Sequence, residues 1–72
     1  MNNVFVVSHN SKTIGVYTSH MKAIQAIIME TLMYGYQMND YTYDMGIEFY
    51  TFIRDNSETV YELQEIALDD RA

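Results

Sequence analysis

The side chains of this chain that could do covalent or metal chemistry are few: two histidines, His9 and His20, four serines, ten carboxylates and no cysteine. A zinc or catalytic pair needs further ligands or a nucleophile converging on it, and the spacing of His9 and His20 supplies neither. Both read as surface groups. Ser8, Ser11, Ser19 and Ser57 lie in no G-x-S-x-G context, the strained turn that exposes a serine nucleophile. Asp40, Thr42 and Asp44 fall at the first, third and fifth positions of a calcium loop, but the twelfth, where a glutamate belongs, is Thr51. Three isolated glycines form no phosphate cradle. The expectation is a chain with no catalytic residue, no metal and no cofactor, hence not an enzyme.

Tyrosine and acid carry more information. Tyr34, Tyr36, Tyr41 and Tyr43 crowd together with Met33, Met38, Met45, Asp40 and Asp44. Tyrosine offers large contact area at low entropic cost and methionine adapts its shape, so both are enriched in interface cores. The acids continue through Glu48, beside Tyr50, to Glu58, Glu62 and Glu65. Spaced negative charge interleaved with aromatic rings can imitate a nucleic-acid backbone. The expected partner-binding surface is therefore Tyr34, Tyr36, Asp40, Tyr41, Tyr43, Asp44, Glu48, Tyr50, Glu58, Glu62 and Glu65. A competing reading places two or three of these tyrosines in the core, where a helix meets a sheet.

The net charge of −6 is unevenly placed. Residues 1–29 hold only Lys12 and Lys22, whereas residues 30–72 hold all ten acids against Arg54 and Arg71. Four scattered cations make no basic stripe, which disfavours direct binding of DNA or RNA. The same field attracts a basic surface, such as the nucleic-acid groove of another protein; it also serves solubility alone. Apolar residues make up 49% of the chain, enough for a packed core and against intrinsic disorder. No apolar run approaches the ~20 residues that span a bilayer, and no signal peptide is visible, so the expected location is cytoplasmic.

The elements that must position these groups read in order. Val4 to Ser8 is rich in β-branched residues, His9 to Lys12 is a turn, and Thr13 to Tyr17 returns as a second strand. Ser19 caps a helix whose apolar residues Met21, Ile24, Ile27, Ile28 and Leu32 recur at three and four, and Gly35 closes it. Tyr36 to Gly46 has no clean period and reads as a loop. Ile47 to Arg54 alternates as a strand, and Asp55 to Glu58 is a turn. Thr59 to Ile66 reads as the returning strand, although Val60, Leu63 and Ala67 also match a helix capped by Ser57. Residues 67–72 read as a frayed acidic tail.

The fold class is α+β: a single domain over 1–72, ββαββ, with a four-stranded, mainly antiparallel sheet and one helix on one face. One helix cannot cover both faces. With Val4, Val6, Ile14, Val16, Ile47, Phe49 and Ile53 against it, the open face carries Phe5, Val7, Tyr17, Tyr50, Phe52 and Val60; the two faces could equally be exchanged. Either way an apolar face remains, which calls for a second copy or a partner. A core this small supplies only about 3–5 kcal/mol, which also favours a homodimer.

The opening VFVVSHNSKTIGVYTSHMKAIQAI, with its V-x-V-V-x-H-N and I-G-V-Y-x-S segments leading into a helix with paired alanines, resembles small accessory proteins of tailed bacteriophages. The resemblance covers the first third of the chain and implies host-takeover or counter-defence proteins that bind and block a host enzyme. With the charge, it leads to a small acidic protein that inhibits a host protein, such as a nucleic-acid-handling or defence enzyme, by occupying its basic surface. The alternative is a structural, assembly or homodimerisation module whose acidity serves solubility.

Overall fold

The computed structural model describes residues 3–68. The order is β1 (Asn3–His9), β2 (Lys12–Tyr17), α1 (His20–Met33), β3 (Gln37–Asp44), β4 (Ile47–Arg54) and β5 (Ser57–Ala67). The five strands form one sheet in the order β2-β1-β5-β4-β3, and every neighbouring pair is antiparallel. The α+β class with one helix on an antiparallel sheet is as expected. The sheet has five strands rather than four, because residues 37–44, read as loop, are a strand.

Short turns set the hairpins. Asn10 and Ser11 both take the left-handed conformation, at φ 55° and 62°, whose twist matches that of the flanking strands. Met45 and Gly46 do the same between β3 and β4, at φ 51° and 82°. The turn after β4 is shorter than expected, with Ser57 already in β5. The helical alternative for 59–67 does not form: Val60 and Thr59 pair with Thr51 and Phe52 of β4, and the strand's far end pairs with β1 as well. β5 includes Ala67, so the tail does not begin there; its residues 69–72 lie outside the described residues.

The helix begins where Ser19 Oγ accepts from the Lys22 N–H at 3.1 Å. It ends in a Schellman turn, with Tyr36 N donating to Thr31 O and Gly35 N to Leu32 O, made possible by Gly35 at φ 79°. Its buried stripe is Ala23, Ile27 and Thr31, with Ile24 beside them. Met21, Ile28 and Leu32, expected on that stripe, instead face outward and are 66%, 43% and 72% exposed. Small residues at Ala23 and Thr31 bring the helix close to the sheet. The Thr31 hydroxyl satisfies itself on Ile27 O and Ile28 O.

The helix sits on the face carrying Phe5, Val7, Tyr17, Tyr50, Phe52, Tyr61 and Leu63, so of the two assignments of faces the exchanged one holds. Val60 does not belong to this set. It lies opposite Thr51, on the open face with Ile47, Phe49 and Ile53. A strand places successive side chains on opposite faces, so Val60 and Tyr61 cannot share one. Leu63 and Val60 therefore test the arrangement. Leu63→Ala should destabilise by about 2–5 kcal/mol, enough to abolish folding in a domain of this size, whereas Val60→Ala should cost under about 1 kcal/mol, measured by urea unfolding.

Candidate partner-binding surfaces

Fourteen helical residues make a rod about 21 Å long at a rise of 1.5 Å each, while the molecule extends 49 Å. The helix lies over β1, β2 and β5, leaving the β3 side of the sheet outside its cover. Three regions result: an open sheet face, a bare β3 edge, and a polar aromatic seam beneath and beside the helix.

The register assigns side chains to the open face. Val4, Val6 and Val16 lie there with Ile66, Val60, Ile47, Phe49 and Ile53. Asp44 lies opposite Ile47, Asp40 opposite Thr51, Glu62 opposite Phe49 and Glu58 opposite Ile53. None of the described cations shares this face. Lys12 pairs with His9 on the helix side, Arg54 lies over the Tyr36 ring, and Lys22 is on the helix. The open face thus combines an apolar floor with four carboxylates.

The tyrosines divide differently. Tyr41 and Tyr43 stand on the helix side of β3, opposite Tyr50 and Glu48, and are 48% and 65% exposed. Tyr50 is buried, with the Tyr41 ring 5.0 Å away between centroids. Its hydroxyl donates to Glu48 Oε1, and the other oxygen of Glu48 accepts from His20 Nε2 at 2.8 Å. Because a carboxylate only accepts, that nitrogen carries the proton. His20 meets the Phe5 ring edge-on, so this set joins the helix start to β1 and β4. Tyr50 and Glu48 are thus held in internal contacts, Tyr34 is exposed and Tyr36 half-buried. Glu65 lies across from Phe5 on the helix side, where it accepts from the Asn3 amide.

A similar set closes the other end of the helix. His9 stacks flat on Tyr61, with centroids 4.2 Å apart, and its Nε2 meets the Thr59 hydroxyl. The Tyr61 hydroxyl donates to Glu30 Oε2 at 2.7 Å, and the ring meets Phe52 edge-on. Arg54 lies over Tyr36, 4.8 Å from its centroid, and donates to Tyr34 O at 2.6 Å. Together His9, Glu30, Tyr34, Tyr36, Arg54, Thr59 and Tyr61 surround an open depression of about 360 Å³. The two histidines are half-buried ring partners rather than free surface groups, a role that no local spacing reveals because each partner is remote in sequence. Among the described residues no three histidine or acidic side chains converge to hold a metal.

Burial raises the Tyr50 and Tyr61 phenols well above their ordinary value of 10, reinforced by their bonds to Glu48 and Glu30. A raised folded pKa stabilises below the unfolded value, and that contribution is lost as pH climbs past it. Stability should therefore hold up to about pH 10 and fall above it. An absorbance titration should show these two tyrosines ionising only with unfolding, after the exposed ones, and Glu30→Gln should bring Tyr61 ionisation to lower pH.

Among the described residues no helix is long and apolar enough to cross a membrane. Compared with known proteins, the chain matches no protein family, no curated protein and no solved structure.

Proposed function

We propose that this chain is a binding protein whose acidic sheet face docks on a basic surface of another protein. The observation that carries the reading is the open face, where Asp40 and Asp44 on the β3 edge and Glu58 and Glu62 on the central β5 stand among apolar residues with none of the described cations beside them. Apolar area supplies the contact energy. The carboxylates supply orientation and attract a positive partner. A nucleic-acid groove is such a surface, which makes the target a nucleic-acid-handling or defence enzyme of a host and the effect inhibition by occupancy. The resemblance of the first third of the chain to phage accessory proteins supports that extension. No catalytic step belongs to this reading, and hydrolase or nuclease screens should stay at background.

Association driven in this way weakens as salt screens it, over a Debye length of about 8 Å at physiological ionic strength. Reversing Asp44 and Glu62 together to Lys should slow association more than it speeds dissociation, read by surface-immobilised kinetics on a partner captured from bacterial lysate. Nucleic acid should displace the protein from that partner. Simultaneous binding of both, with affinity indifferent to salt, would sink the proposal.

A second reading is favoured by the outer face of the helix. Met21, Ile28, Met29, Leu32 and Met33 are all exposed, with Met33 at 77%, and form an apolar stripe. Two copies paired along this stripe would bury it without opposing the carboxylates of the sheet face. Light scattering should then give twice 8.4 kDa for the native chain and 8.4 kDa for Leu32→Glu. A native monomer at high concentration refutes self-association and leaves the docking face untouched.

A further inference from the structure

β3 ends the sheet. It pairs with β4 on one side and, among the described residues, has no strand on the other. All eight of its residues are exposed and none is a lysine or proline, and among the described residues no further element covers this edge, so these common means of blunting it are missing. A bulge at Asn39 interrupts its start, but from Asp40 to Asp44 the register with β4 is unbroken. The main-chain N–H of Tyr41 donates to its neighbour's Asp40 Oδ1 at 2.8 Å, so a carboxylate of the chain itself sits on a donor that the ladder leaves free. By contrast β2, the opposite edge, has six residues, is bulged, and carries Lys12.

We infer that β3 is a strand-addition site for an extended segment of a partner in which basic and apolar residues alternate. Successive residues of an added strand point to opposite faces of the sheet. On one face they meet Asp40 and Asp44; on the other they meet Tyr41 and Tyr43. A segment with lysine or arginine toward the first pair and aliphatic residues toward the second is complementary on both sides. Asp40 then leaves the Tyr41 N–H, which passes to a carbonyl of the incoming strand, and its carboxylate takes the partner's cation instead. A second copy of β3 is the wrong occupant, because pairing β3 with itself gathers four aspartates along one short ladder. This inference rests on the docking reading and specifies how the partner is held.

A short synthetic peptide of alternating lysine and valine is the probe, added to the full chain under observation by amide NMR. The largest shifts should fall on residues 40–44. Methylating the backbone nitrogens on one edge of the peptide should weaken binding by about tenfold or more, and methylating the other edge should not. Tyr43→Pro, which removes a donor on the free edge where proline is tolerated, should weaken it likewise while the circular dichroism is unchanged. Reversal of Asp40 and Asp44 to Lys should transfer the preference to a peptide of alternating glutamate and valine. If neither pattern of methylation matters but charge reversal still weakens binding, the edge inference is overturned and the docking reading survives. If the peptide shows no salt-dependent binding, both fall.

Discussion

The ladder between β1 and β5 holds the molecule together. Asn3–His9 runs antiparallel to residues 61–67, so the hairpin at one end of the sequence and the three-stranded meander at the other become a single sheet only through this contact. Val7 and Leu63 face each other within it, both about 1% exposed. The helix cannot be buried before that ladder exists, since its own partners are β1, β2 and β5. Such a remote pairing must overcome the loop-closure entropy of the whole intervening chain, which places it late and makes folding slower than in a helical protein of equal length.

From the same constraint comes the asymmetry of the surface. With the helix drawn toward the β1–β5 seam, the buried Tyr50 and Phe52 of β4 meet the rings of Tyr41 and Tyr61 on the neighbouring strands, and β3 is left exposed. The chain meets this with paired hydroxyl and carboxylate groups at the helix margins: Tyr61 with Glu30 at one end, Tyr50 with Glu48 and His20 at the other. Each places a phenol body against the apolar core and its oxygen at the rim, a geometry to which tyrosine is suited and phenylalanine is not. Acidic residues used in this way are structural. Those on the open face, Asp40, Asp44, Glu58 and Glu62, make no comparable core-supporting contact among the described residues, which leaves their negative charge on that face.

Much of this architecture was legible from local pattern. The first hairpin, the helix with its Ser19 cap and Gly35 terminus, and the Ile47–Arg54 strand each carry a periodicity or a capping residue that physical chemistry dictates. β3 was not legible because an edge strand with no buried residue has no alternation of apolar and polar side chains to display; Asn39, Asp40 and Asp44 moreover favour turns. The buried stripe of the helix is ambiguous in the sequence for a related reason. Isoleucine occupies both its faces and methionine and leucine add apolar weight to the outer one, so the apolar period fits more than one orientation, and the small Ala23 and Thr31 that mark the buried side carry little hydrophobic weight. Among the binding residues, acidity was visible in the sequence but its division between two faces was not, since Glu48 and Glu65 go to the helix side only through the register of strands far apart in the chain.

The antiparallel β1–β5 ladder also places Asn3 directly opposite Ala67. A pull applied to these two residues loads the first rung alone, then the next, like a zipper opened from its tab, rather than shearing all rungs together. The molecule should thus yield to small mechanical force although its hydrogen-bonded sheet is continuous. A motor that unravels proteins from one end would meet little resistance here, and a partner seated across β1 and β5 would act as the clasp that keeps the zipper shut.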